Sequence, residues 1–235
     1  MRIIEPAKLI SETVKESVLP HLVAIYDDRG DQRGSAFLTM WNGNQLLVTA
    51  KHCLFGHKFN EKPATKSIFD GNELRSLDVV ARSQVACNQE LDIAVVHVEG
   101  FASNRALPYS ALQFNEPALG MVSIVGYLAR DHRRSLLDST LRPKPFCHTD
   151  VAVDVGPELV GVKYQNRVIA TKSGQRELSP IPLGLSGGPM LDASALVLNQ
   201  VKVCGVFTEE RLSEGYVFGT HISALAALMQ SLLEP

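Results

Sequence analysis

The chain is divided into short apolar runs that are too brief to be helices and too regularly interrupted to be anything but strands. Residues 21–26, 35–41, 45–50, 77–85, 93–98, 121–127, 150–155, 159–164, 167–171, 196–207 and 216–222 are rich in Val, Leu, Ile and aromatics. Gly, Pro or Asn stands between nearly all of them, and the run 196–207 reads as two strands with a turn near Asn199. Asn42-Gly43 is a strong hairpin signal, because a tight turn of the favoured hand needs residues that tolerate positive φ. About a dozen strands in 235 residues point to an all-β fold of packed barrels or sandwiches.

The two ends of the chain differ. Ile10, Val14 and Val18 recur at i, i+4, i+8, with Lys8 and Glu12 on another face, which predicts a short amphipathic helix stopped near Pro20. Residues 1–20 are therefore expected as a helical extension, packed on the body or contacting a regulatory protein partner. Leu225, Leu228, Met229, Leu232 and Leu233 follow Ser223, a candidate N-cap, and predict a closing helix over 223–233.

Composition narrows the function classes. Lys plus Arg is 23 against Asp plus Glu at 25, so no broad positive field draws nucleic acid or anionic lipid. Arg130, His132, Arg133 and Arg134 form the only basic cluster, and clusters this short are ordinarily solvated loop tips. The longest uncharged apolar stretch falls far short of the roughly 20 residues a spanning helix needs. Charges at Glu5, Lys8, Glu12, Lys15 and Glu16 interrupt what would be a secretory h-region, so no secretory signal is expected in these residues. Cys53, Cys87, Cys147 and Cys204 contain no C-x-x-C pair, which leaves zinc unsupported and predicts free thiols in a reducing, cytoplasmic compartment.

Three segments carry possible chemistry. In Gly184-Leu185-Ser186-Gly187-Gly188-Pro189, glycines around a serine let backbone N–H groups converge on one point, as a tetrahedral acyl intermediate requires. Alone, the segment is equally a glycine-rich turn. His52, in Thr49-Ala50-Lys51-His52-Cys53, closes an apolar strand; it is a candidate general base or an ordinary loop histidine. Asp92, in Leu91-Asp92-Ile93-Ala94-Val95, is a turn residue or an acceptor for an imidazole, and Asp78 in Leu77-Asp78-Val79-Val80 has the same local shape.

Together, in the order His52, Asp92, Ser186, the segments T-A-x-H-C, D-I-A-V and G-x-S-G-G-P resemble the chymotrypsin-like (trypsin-like) serine peptidase family, over roughly residue 22 to the C-terminal helix. An α/β-hydrolase would place its acid and then its histidine after the serine, and too little chain follows Ser186 for that. The resemblance implies two six-stranded antiparallel β-barrels, about 21–110 and 111–222, with the site between them. It implies a His52–Asp92–Ser186 triad, an oxyanion hole of the Gly184 and Ser186 backbone N–H groups, a protein or peptide substrate, and no cofactor or metal. The competing expectation is a catalytically silent peptide-binding module of the same fold.

The departures from the family are informative. No cysteine precedes Cys53, so the disulfide of secreted members is impossible, and an intracellular, bacterial-style member is expected. Leu185 stands where zymogen-activated members carry an Asp, so activation by a freed N-terminus is not expected. By motif position, Pro180 lies near the base of the pocket for the P1 side chain, Thr208, Glu209 and Glu210 on its edge strand, and Tyr216 on its wall. With no carboxylate at the base, cleavage after apolar or small residues is expected.

Overall fold

A computed structural model of the protein describes residues 6–56, 65–70, 73–114, 120–129, 143–154, 156–164, 168–170, 176–178 and 180–233. The basic cluster at 130–134 lies outside them. The chain opens with helix α1 (Pro6–Thr13), continued by a π-helical turn (Val14–Val18) and a 3-10 turn (Leu19–His21). A seven-stranded antiparallel sheet follows, from β1 (Leu22–Asp27), β2 (Gln32–Trp41), β3 (Asn44–Ala50), β4 (Thr65–Phe69), β5 (Leu74–Ser76), β6 (Ala81–Asn88) and β7 (Ile93–Val98). Its strand order is β5-β4-β1-β2-β3-β7-β6. Between them lie the single-turn helices α2 (Lys51–Phe55), after β3, and α3 (Leu77–Val80), between β5 and β6.

The second half is a closed six-stranded barrel. It uses β8 (Met121–Tyr127), β9 (Pro145–Asp154), β10 (Leu159–Lys163), β13 (Pro189–Asp192), β14 (Val203–Arg211) and β15 (Tyr216–His221), ordered β10-β15-β14-β13-β8-β9. A separate hairpin pairs β11 (Val168–Ala170) with β12 (Arg176–Leu178). Helix α4 (Ala193–Val197) follows β13, and α5 (Ala224–Leu233) ends the fold.

The all-β expectation and one six-stranded barrel are therefore present, but the first half differs from the barrel expected. Its hydrogen-bonded sheet has seven strands, with β5 and β6 at its edges and α3 joining them in the chain, and no pairing between these two edges is present among the described residues. The run expected as a strand over 77–85 is in fact this helical turn followed by the start of β6. A similar correction applies to 196–207. The Asp192 carboxylate accepts from the Ser194 N–H at 2.8 Å, capping α4, so Leu196 and Val197 are helical and strand structure resumes only at Val203. Asn199, at φ 57, makes the expected turn. Strands β4, β5, β12 and β13 were not foreseen.

Alternation along the first sheet feeds two cores. Val23, Ile25, Ala36, Leu38, Leu47, Ala94 and Val96 face one way, into a core with Leu54, Ile68 and Leu77. Leu22, Ala24, Tyr26, Phe37, Leu46, Val48, Ile93 and Val95 face the other. There they meet Val125, Leu191, Val203 and Val206 of the barrel, together with Ile10, Val14 and Val18 from the N-terminal segment and Leu225, Met229 and Leu232 of α5. The apolar stripe of the N-terminal helix is thus used in packing on the body. α5 leaves the barrel at β15 and returns to lie on β6 and β7. No helix among the described residues is long and apolar enough to cross a membrane.

Both halves and both termini share this one core, so the small helix α5 should carry global stability. Met229, fully buried, should lose about 2–5 kcal/mol of unfolding free energy as Met229→Ala in urea titrations. Exposed Ala227, as Ala227→Gln, should stay within about 0.5 kcal/mol of wild type. Equal effects would show that α5 is an appendage.

Candidate active site

β3 ends at Ala50, whose extended backbone turns directly into the single-turn helix α2. The first N–H groups of any helix lack internal partners. Here Asp92, in the β6–β7 turn, takes two of them. Its carbonyl accepts from Lys51 N at 2.9 Å, and its Oδ1 accepts from His52 N at 3.0 Å. Its other carboxylate oxygen lies 2.5 Å from His52 Nδ1. Asp92 holds φ 49, a left-handed value that Asp tolerates better than most residues. The turn is shaped by Asn88, whose Oδ1 accepts from Leu91 N at 3.0 Å, and it is tied to the barrel by the Thr220 hydroxyl, which donates to the Leu91 carbonyl. Asp78, the sequence's other candidate, sits exposed on α3.

Because the carboxylate can only accept, the neutral imidazole carries its proton on Nδ1 and keeps Nε2 as the basic nitrogen. Burial disfavours the His52 cation, but the hydrogen bond and charge of Asp92, with a contribution from Cys53, outweigh it and hold the imidazole above its ordinary value of 6.5.

Ser186 lies in the loop between the hairpin β11–β12 and β13. Gly184 stands at φ 91 and Gly187 at φ 85, values that favour glycine. At Gly187 the loop also presses on the first sheet. A Cβ there would lie 2.1 Å from both the Ser35 carbonyl oxygen and Thr49 Oγ1. The orientation of the loop's peptides follows from their carbonyls. Leu183 O accepts from Ala129 N and Leu185 O from Gly188 N, both at 2.8 Å. In trans peptides this turns the N–H groups of Gly184 and Ser186 away from those partners. Neighbouring N–H groups are engaged, Leu185 with Pro182 O and Gly187 with Phe207 O, whereas those of Gly184 and Ser186 donate to no protein acceptor among the described residues.

His52, Asp92, Gly184 and Ser186 all line one cleft of about 1160 Å³. Of the residues expected to contact substrate, Thr208, Glu209 and Glu210 line it as well. Pro180 and Tyr216 are not among its lining residues; Pro180 O accepts from the Tyr164 hydroxyl at 2.5 Å, and Tyr216 packs beside Phe218. Glu209 is engaged by Arg211 through two contacts of 2.8 and 3.2 Å, and burial raises the Glu210 carboxyl above the usual carboxylate range. The cleft's apolar lining includes Leu159, Ile181 and Leu183, large apolar residues that are 38%, 52% and 55% exposed. Sequence reasoning missed these three, although Pro180-Ile181-Pro182-Leu183 placed two apolar residues just before the serine loop. It also missed Ser35, whose three polar groups all serve that loop or the strand beneath it.

Leu185 is fully buried in the barrel core with Ile124 and Val162. None of the four cysteines is in a disulfide; Cys53 and Cys204 are buried and Cys87 is exposed. No group of three or more His, Cys, Asp or Glu among the described residues is placed to share a metal.

Residues 34–198 match the model of the trypsin-like peptidase domain. Similar solved structures include a serine-to-alanine mutant of Rv3671c from M. tuberculosis in its inactive form, at 15% identity and TM-score 0.58, covering 100% of this chain and 98% of that one. A Glu endopeptidase matches at 14% identity and TM-score 0.61, covering 93% of this chain and 92% of that one. A mutant of human heparin binding protein matches at 14% identity and TM-score 0.59, covering 91% of each chain. No curated protein sequence matches the chain.

The contacts at Gly187 can be separated from its backbone conformation by comparison with Gly43, which has φ 80 but open space around its Cβ position. Gly43→Ala should cost about 1 kcal/mol from the left-handed backbone alone. Gly187→Ala should cost at least about 2 kcal/mol more, since backbone atoms cannot give way. Equal losses in denaturant titrations would show that the loop does not depend on close approach.

Proposed function

This chain belongs to the trypsin-like peptidase domain family, and on that premise we propose that it is a serine endopeptidase acting through an acyl-enzyme. The observation that carries the proposal is the His52–Asp92 contact of 2.5 Å in the cleft that Ser186 also lines. Ser186 Oγ attacks the scissile carbonyl carbon as His52 Nε2 takes its proton. The oxyanion that forms accepts from the N–H groups of Gly184 and Ser186. The intermediate collapses, the C–N bond breaks, and His52 gives its proton to the departing amine. Water, deprotonated by His52, then attacks the acyl carbon; the proton returns to Ser186 Oγ as the C–O bond breaks. Asp92 keeps the imidazole in the Nδ1–H tautomer and stabilises its cation.

The apolar exposure of Leu159, Ile181 and Leu183 supports a peptide substrate with an apolar or small residue at the cleavage point. The Glu209–Arg211 pair keeps that carboxylate occupied on its own strand, which argues against a preference for Lys or Arg.

The second reading, a peptide-binding or interaction module without catalysis, is kept because a human heparin binding protein shares the fold, and the fold alone admits binding roles. A fluorophosphonate probe separates the two. Stoichiometric labelling of wild type, lost in Ser186→Ala and His52→Ala, is expected of the peptidase; an unlabelled wild type would leave the binding module.

Activity should also report the His52–Asp92 pair. Because the imidazole must be neutral to act as a base, and Asp92 raises its pKa, kcat/KM should fall on acidification through a limb above about 6.5. In Asp92→Asn the burial that opposes the cation is offset only by Cys53, so the limb should move to lower pH, with kcat reduced about 10⁴-fold. An unchanged limb would remove Asp92 from the proposal. A cleavage profile over a peptide library dominated by Arg or Lys, and lost in Glu210→Gln, would overturn the apolar assignment.

A further inference from the structure

We infer that Ser35, a fully buried serine on β2, is a positioning residue that sets the angle between the two oxyanion-binding N–H groups; the inference rests on the peptidase reading above. Its place in the network is specific. The N–H of Gly184 belongs to the peptide between residues 183 and 184, and the N–H of Ser186 to the peptide between 185 and 186. The peptide joining Gly184 to Leu185 is the spacer between these donors, and Gly184, at φ 91, is its flexible end. Ser35 Oγ donates to the carbonyl of that spacer, Gly184 O, at 2.7 Å. The spacer's own N–H, on Leu185, is held by Pro182 O at 3.1 Å, so the plane is fixed from both sides.

Ser35 also acts on the far side of the nucleophile. Its backbone N–H donates to Ser186 O at 2.7 Å, fixing the peptide that follows the serine. The hydroxyl itself cannot rotate away, because its oxygen accepts from Tyr127 N at 2.8 Å. The Ser35 carbonyl accepts from the Thr49 hydroxyl at 2.7 Å. Ser35 touches no reacting atom; it acts through the spacer peptide. Gln32 Nε2 reaches Gly184 O only at 3.4 Å, so it cannot replace the serine.

Removing the hydroxyl leaves the spacer held mainly through Leu185 N and Pro182 O, at 3.1 Å, and lets its plane tilt about Gly184, while the backbone bond from Ser35 N to Ser186 O remains. The donors then lose their alignment on charge that exists only in the transition state. The expected loss therefore falls on kcat and not on KM. An outright loss of one such donor costs roughly 10²–10³-fold, and misalignment should cost less.

The test compares wild type, Ser35→Ala and Ser35→Cys, using a peptide substrate with an apolar P1 residue and the matching peptidyl boronic acid. The boronic acid forms a B–O bond to Ser186 Oγ and presents a tetrahedral anion to the two N–H groups. Ser35→Ala should lower kcat about 10- to 100-fold with KM within twofold, and should weaken the boronate by the same factor. Ser35→Cys, which retains a weak donor, should fall between. Should Ser35→Ala fail to show a cooperative melting transition above the assay temperature, Ser35→Cys carries the same test. Unchanged kcat, or a raised KM with kcat intact, would overturn the inference while leaving the peptidase reading standing. A wild-type protein that neither labels with fluorophosphonate nor cleaves would end both, and labelling of wild type tells the two failures apart.

Discussion

The structure depends on how closely the loop carrying Ser186 is pressed against the first sheet. Gly187 approaches the Ser35 carbonyl and the Thr49 hydroxyl of that sheet at a distance no side chain permits, and on the barrel side Gly188 approaches Val125 O of β8 as closely, at 2.2 Å from the position of its missing Cβ. Close approach of two backbones lets polar groups of one half satisfy those of the other. Ser35 N, Ser35 Oγ and Cys53 Sγ all donate to carbonyls of the loop, and Tyr127 N and O are both taken up from β2, by Ser35 and Gln32. In a dry interior each unpaired group would carry a desolvation penalty, so the loop's position and the docking of the halves are one constraint.

The same economy governs His52. A helix of five residues has little stability of its own, and its first donors must find partners outside it. Asp92 supplies two of them and binds the ring besides, so the position of the imidazole is set by the start of α2 as much as by its own side-chain bond. Thr220, from β15 of the barrel, holds the carbonyl next to Asp92. The turn carrying Asp92 is thereby referenced to both halves.

How much of this was legible in the sequence varied with how local its cause was. The strands over β1, β2, β3, β7, β8 and β15 were legible because alternation and turn residues are local signals. Strand β4 was hidden because it mixes Thr, Lys and Ser with two apolar residues, and three-residue β5 is too short to show a period. α3 was misread because Leu-Asp-Val-Val has strand-like composition; the chain must turn there to join one sheet edge to the other, and tertiary geometry overrode propensity. Asp92 and Asp78 could not be told apart locally, because what distinguishes them is a partner 40 positions away in sequence. Ser35 gave no signal at all. Within Gly34-Ser35-Ala36 it is an unremarkable strand residue, and its importance arises wholly from contacts with Tyr127, Gly184 and Ser186.

On the proposed peptidase reading, the two halves contribute chemistry of different kinds to the cleft. The first sheet presents side chains, an imidazole and a carboxylate, whose properties depend on residue identity and on charge. The barrel presents, beside one hydroxyl, backbone N–H groups whose properties depend only on direction. A side-chain contribution is removed by changing that residue. A backbone contribution survives any change that leaves the chain path intact, and it is lost only through residues that fix the path, namely Gly184, Gly187 and the groups bonded to their neighbours. This is why the glycines around Ser186 were readable as a motif while the residue holding them was not. A motif records the residues at which chemistry or an unusual φ is required, whereas the support for a backbone donor can come from any position able to place one hydroxyl within hydrogen-bond reach.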